Sequence, residues 1–364
     1  MKSNLSIFWR FSFLPYLLAL SACGASYMSD DLLIIPVDVT QNTPVRLSEI
    51  SDNVKKIELE TSEKCIIGRI AQVVYDDDRI FVLDAQGGSR IHVFDIKGKF
   101  LFAIDRQGRG PGEYMYIVRI TADIENKYIY ILNAMGRKII RYDWDGRFID
   151  EFMVTGFPEW VYFGNDLLHI FFVDYRPIGD RNFAKSTFMV RYNSDWLPVD
   201  TTFVKEVILK EEFGYIDTRT NPISQDNRKN TFIYYHVLFP DIVMLDTLYM
   251  LDNNKLKPYA KLQFSDENKS VRNKSVYSIL HTSNLIIAEY FSYSDRKLKF
   301  FCYDFESNIG KNMAGGFLDD VFDSGIVEIR LLNNQYFYFI VEAEYDPDLL
   351  IEPNPVLYIG RFKE

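Results

Sequence analysis

Seven side chains in this sequence have the types and spacing for ligand chemistry: Arg69, Arg109, Glu113, Tyr114, Arg119, Trp160 and Tyr162. Guanidinium groups grip carboxylates and hydroxyls through paired N–H donors, and Trp or Tyr faces stack on sugars and peptide planes. Such a set suits a glycan, a carboxylate or an extended peptide.

Other chemistries are poorly served. Gly108-Arg109-Gly110-Pro111-Gly112 has the glycine content of a phosphate loop. No Lys-Ser/Thr follows it, and the next element reads as a strand, so no helix N-terminus would face a phosphate. It reads instead as a connection between two sheets, where glycine lets backbones pack closely. His92, His169, His236 and His281 lie far apart and lack the spacing of a metal-binding pair. Asp76-Asp77-Asp78 precedes Arg79 at a tight hairpin without the Gly and Glu of a calcium loop, and reads as a solvated turn. No Gly-x-Ser-x-Gly occurs, and neither Cys65 nor Cys302 has a reactive signature. The carboxylates are too many and too loosely placed to single out a glycosidase pair. No catalytic residue, metal ligand or cofactor is expected.

The elements that must position these residues repeat. Ile80-Phe81-Val82-Leu83-Asp84 is followed by Val93-Phe94-Asp95-Ile96-Lys97-Gly98-Lys99-Phe100. Ile129-Tyr130-Ile131-Leu132-Asn133 is followed by Ile140-Arg141-Tyr142-Asp143-Trp144-Asp145-Gly146-Arg147-Phe148, so Asp95 and Asp143 stand 48 residues apart. A period in this range built from short β runs marks a propeller blade. The runs are apolar at consecutive positions, so both faces of each strand must be covered, as they are between neighbouring blades. Asp-x-x-Gly turns then reverse the chain. Weaker copies continue at Met189–Asn193, Tyr249–Asp252 and Phe300–Asp304, with a last block from Ile326 to Ile359.

The expected fold is therefore all-β, a six-bladed propeller of four-stranded antiparallel blades over residues 46–364. Its units run roughly 66–105, 114–154, 157–204, 228–264, 272–310 and 326–362, with a charged, Asn-rich insertion at 206–230. Val54 to Glu60 alternates apolar and charged residues and is expected to pair with the last blade, closing the ring. In such a ring the inter-blade connections share one face with the middle loops of the blades. That face would present the seven side chains.

Residues 1–22 read as a signal peptide: Lys2 and Arg10 precede a short apolar stretch, Phe11 to Leu20. Leu20-Ser21-Ala22-Cys23 resembles the lipobox of bacterial lipoproteins, which implies acylation of Cys23 and a tether over residues 23–45. Several acyl chains on one residue would anchor the chain stably. The net charge of −10 becomes −12 once the two positive charges of residues 1–22 are removed. With no Lys/Arg run, nucleic acid is excluded as a partner. An oxidising compartment makes a Cys65–Cys302 bridge conceivable, but their separation favours two free thiols.

Ile57-Glu58-Leu59-Glu60-Thr61, Ile67-Gly68-Arg69-Ile70, the two phrases of the first blade and Gly108-Arg109-Gly110-Pro111-Gly112-Glu113-Tyr114 together define a resemblance. They are similar to six-bladed β-propeller lipoproteins, related to NHL-repeat propellers, of Gram-negative gut anaerobes. The resemblance is strong over residues 54–155 and dilute beyond them. It implies an outer-membrane lipoprotein, facing the periplasm or the cell exterior, and no settled activity. The leading expectation is a binding module for a glycan, a peptide or an envelope protein, held in outer-membrane lipid. The alternatives are a propeller-type enzyme, such as a metal-dependent lyase or lactonase-like hydrolase at the axis, and a structural partner using residues 206–230.

Overall fold

The computed structural model describes residues 32–86, 89–179, 182–209, 221–236, 245–266, 274–343 and 352–363. Cys23 and residues 1–22, expected to form a signal peptide, lie outside these residues. Among them, six blade sheets follow one another in the chain, and a two-stranded sheet, Phe317–Asp319 with Gly325–Val327, stands between the last two.

Blade 1 comprises Ile70–Tyr75, Arg79–Asp84, Arg90–Asp95 and Phe100–Ile104. Blade 2 comprises Arg119–Asp123, Tyr128–Asn133, Lys138–Asp143 and Phe148–Met153. Blade 3, with the longest strands, comprises Phe157–Gly164, Leu167–Ile178, Asn182–Tyr192 and Pro198–Leu209. Blade 4 is Ile223–Gln225, Thr231–Ile233, Thr247–Asp252 and Lys255–Phe264; blade 5 is Lys274–His281, Leu285–Ser292, Lys297–Asp304 and Ile309–Ala314. Blade 6 uses Arg330–Leu331, Tyr336–Val341 and Val356–Phe362, and takes its outermost strand, Ser51–Glu58, from the start of the ring. Val54 lies opposite Gly360 and Ile57 opposite Leu357, so the closure expected from the alternation at 54–60 is present.

The consecutive apolar runs sort themselves between neighbours. Ile80 and Val82 pack toward blade 6 with Tyr338, Leu357 and Ile359. Phe81 and Leu83, one residue out of phase, pack with Ile120, Ile129, Ile131 and Ile140 of blade 2. Tyr130 and Leu132 then face Val161, Leu168 and Ile170 of blade 3. Successive side chains of a strand point to opposite faces, so an unbroken apolar run is what a sheet sandwiched between two others requires.

The Asp-x-x-Gly turns work as their residues suggest. Asp95 Oδ1 accepts the Lys97 and Lys99 amides at 2.9 Å each, and Gly98 adopts φ +85° with the Glu58 carbonyl where a Cβ would stand. Asp143 and Gly146 repeat the arrangement.

Two boundaries differ from expectation. Residues 33–37, placed in the tether, form the strand Leu33–Val37, parallel to Lys255–Phe264, with Ile35 and Val37 buried against blade 4. Proline at 36 and the shortness of the run hide it in the sequence; two buried side chains on one face are enough to dock it. Residues 206–230 are not a simple insertion. Residues 206–209 complete the outer strand of blade 3, and Ile223–Gln225 is the inner strand of blade 4. Residues 210–220 lie outside the described residues. A three-residue strand offers too few positions for any periodicity to register.

Cys65 and Cys302 are both buried and unbridged, in separate apolar clusters. Burial pushes each thiol up to about 12.

Candidate functional site: the axial cavity

The inner strands converge on a cavity of about 270 Å³. Its polar lining includes Gln72 of blade 1, Arg119 and Thr121 of blade 2, Trp160 and Tyr162 of blade 3, Ser278 and Glu289 of blade 5, Arg330 of blade 6 and Glu328 just before it. Asn221, which precedes the inner strand of blade 4, also borders it.

A shared backbone device aims three of these side chains. The register between the first two strands slips between Ile70 and Gln72 in blade 1, Pro158 and Trp160 in blade 3, and Val276 and Ser278 in blade 5. Each slip is a β-bulge, and the residue just after it lines the cavity. Bulges gather beside functional sites because an extra residue bends the strand and re-aims the next side chain. In blade 3 the bulged Glu159 turns away and accepts a bond from Lys185 at 2.8 Å, while Trp160 lines the cavity.

Neighbouring inner strands are tied directly. The Gln72 amide donates to the Ile120 carbonyl at 2.6 Å, and its oxygen accepts from the Ile120 N–H at 3.0 Å. Thr121 Oγ1 accepts from the Phe163 N–H at 2.9 Å, and Tyr162 Oη donates to Gln225 Oε1 at 3.1 Å. The Ser224 hydroxyl accepts from the His281 N–H at 2.9 Å, and Arg330 donates to the Ala71 carbonyl at 3.4 Å. Each bond is worth about 1 kcal/mol net. Together they hold the mouth in one shape before any ligand arrives.

Arg119 and Trp160 form its centre. Both are less than a tenth exposed, and the guanidinium carbon lies 3.2 Å from the Trp160 ring centre. The ring's negative face favours a cation there, by about 1–2 kcal/mol where water is scarce. Burial pushes the Tyr162 hydroxyl up to about 12, so it stays protonated and able to donate. Behind it His169, fully buried, is held down at about 4 by burial and then by Arg191, so it stays neutral. Its ring lies 5.8 Å from that of Tyr162.

Of the seven residues expected at this face, Arg119, Trp160 and Tyr162 meet at the cavity. Arg69 and Arg109 are exposed and do not line it. Glu113 and Tyr114 serve the glycine loop. Glu113 Oε2 accepts from the Gly110 N–H at 2.8 Å, and the buried Tyr114 hydroxyl donates to the Ile104 carbonyl at 2.9 Å. Adjacency in sequence to inter-blade connections was thus a poor guide to position around the axis. Gln72, Ser278, Glu328 and Arg330 escaped the sequence reading. Gln72 left one signal, a polar residue inside the otherwise apolar Ile70–Tyr75.

Among the described residues no group of three or more His, Cys, Asp and Glu comes together as a metal site would need. The axial carboxylates, Glu289 and Glu328, share the cavity with Arg119 and Arg330.

A closed six-bladed propeller with a pre-shaped polar mouth at its axis is the class of protein that fold and site define. The chain belongs to the family described as a domain of unknown function, DUF4934, which matches residues 32–357. No curated protein matches it. Among solved structures it is similar to a protein of Bacteroides fragilis provisionally described as exported. That match has 17% identity, a TM-score of 0.63, and covers 91% of this chain and all of the other. It is also similar to a DUF4221-family member from Bacteroides vulgatus, at 11% identity and a TM-score of 0.48, covering 86% of this chain and 97% of the other. A protein provisionally named as a gluconolactonase gives 8% identity and a TM-score of 0.46, with coverages of 88% and 97%. The first of these supports the propeller fold.

Proposed function

We propose that the protein is a binding module of the bacterial cell envelope whose axial mouth takes a polar ligand, a hydroxyl-rich glycan or a carboxylate-bearing peptide. The observation behind this reading is the aimed set of Arg119, Trp160 and Tyr162, with Gln72 and Ser278 set by equivalent bulges in alternate blades. Arginine and aromatic groups in a desolvated, pre-organised mouth recognise hydroxyls and carboxylates without reorganising. The cell address rests on the sequence: a signal peptide over residues 1–22 and a lipobox-like Leu20-Ser21-Ala22-Cys23, which would place an acylated Cys23 in outer-membrane lipid.

Glycan and peptide arrays probed with the protein lacking residues 1–22 test the site. A bound class that weakens about tenfold or more in both Arg119→Gln and Trp160→Leu is the expected outcome. Binding unchanged in both folded variants would remove the axial site, and an array without any binder would remove the module. Radiolabelled palmitate should enter the full chain in a Gram-negative host and not its Cys23→Ser variant; equal labelling defeats the anchor.

A further inference from the structure

A second cavity, of about 210 Å³, lies away from the axis, between the outer strand of blade 3 and the face of blade 4. Its walls include the apolar Val204, Ile233, Leu245 and Leu256, and Lys205 lines it as well. Two lysines on adjacent strands behave differently here. Lys185 is held by both oxygens of the buried Glu159, at 2.8 and 3.1 Å. Lys205 has as its hydrogen-bond partner among the described residues the Tyr235 carbonyl, at 3.3 Å, and no carboxylate lies within ion-pair distance of it there. Without a counter-charge, burial lowers its pKa to about 7, so much of the amine is neutral near neutral pH. Two acidic residues beside it have other partners. Asp246, also in the cavity wall, accepts from the Thr247 hydroxyl at 2.8 Å and lies 3.5 Å from Lys261, and Glu206 accepts from the Ser186 hydroxyl.

We propose that Lys205 is a carbonyl-capturing residue: its amine forms an imine with small, uncharged aldehydes that enter this cavity. The Nζ lone pair attacks the carbonyl carbon and the C=O π pair moves to oxygen, which takes a proton. Nitrogen loses one, giving a carbinolamine. Loss of water then leaves the C=N bond, so amine and aldehyde become imine and water with no change in oxidation level. The apolar walls admit a short aliphatic or aromatic tail, and Asp246 disfavours an anionic one. Tyr249 lines the same cavity, and its hydroxyl, protonated at neutral pH like that of any ordinary tyrosine, is a proton donor available for the dehydration.

The test treats the folded protein with butanal and cyanoborohydride at pH 7, where hydride reduces any imine to a stable secondary amine, and maps the alkylated lysines by mass spectrometry. Lys205 should be alkylated about tenfold or more faster than the exposed Lys97 and Lys255. That preference should vanish in denaturing urea, and the Lys205→Arg variant should lose the fast-labelling peptide. Labelling of Lys205 at or below the rate of Lys97 in protein that still melts cooperatively would overturn the proposal. So would a preference that survives in urea, since the cavity would then have no part in it.

Discussion

The glycine loop at 108–114 and the axial mouth make opposite uses of similar residues. The loop spends its polar groups on itself. Glu113 caps Gly110; Glu151 accepts from the Gly112 N–H at 2.9 Å and from Lys138 at 2.8 Å; the Tyr142 hydroxyl donates to the Gly112 carbonyl. The mouth has no contiguous motif, yet it gathers arginine from blade 2 with tryptophan and tyrosine from blade 3 and brings them to one cavity. A conspicuous local motif in a repeat protein can be a self-satisfied joint. A binding surface there is assembled from residues one blade apart.

That contrast can be broken at the joint. Gly112 adopts φ +70°, and a Cβ there would lie 2.8 Å from the Phe148 ring. Gly112→Ala should therefore lose about 3 kcal/mol, from backbone strain plus overpacking, as read by urea denaturation. The folded fraction should keep its axial ligand at wild-type affinity. A stability loss below about 1 kcal/mol would show that the loop is not the rigid joint described here.

His169, buried behind Tyr162, sharpens the comparison from the other side. An unfolded histidine titrates near 6.5, and here the folded one titrates at about 4. The unfolded chain binds the proton first, so this contribution is complete above about pH 6.5 and is lost as pH falls toward 4. The loss comes to about 2–3 kcal/mol at pH 4 relative to pH 7. His281, also lowered by burial, adds in the same direction. Thermal unfolding from pH 7 to 4.5 should show the decline, and His169→Leu should flatten part of it; an unchanged slope would mean that the imidazole charges freely in the fold.

The smallest effect is expected at Arg109, exposed on the loop and outside the cavity. Arg109→Ala should change stability by less than about 0.5 kcal/mol and leave ligand binding alone. A tenfold loss of binding would draw the loop into the site after all.

Legibility followed the strength of local signals. Blades 1 and 2 were readable because Asp95–Gly98 and Asp143–Gly146 put glycine where φ must be positive. Blade 3 makes the same turn with Asn193, whose Oδ1 accepts from Asp195 and Leu197, but Trp196 takes the glycine's place at φ +60°. The turn survived while its residues changed, so the repeat looked diluted. Ile223–Gln225 and Arg330–Leu331 are too short to register as strands in sequence.

The sequence by itself determined the all-β ring, its six units and the closing strand, because strand periodicity and turn chemistry are local and each blade repeats them. Which side chains meet was decided by the tertiary structure alone. Bulges before Gln72, Trp160 and Ser278 turn three inner strands toward one axis, and a bulge is a mismatch between two strands that neither strand's residues announce. The separation of Arg119 and Trp160 from Arg69 and Arg109 has the same origin. Position around an axis depends on how six sheets pack, and burial of their apolar faces sets that only when the ring is closed.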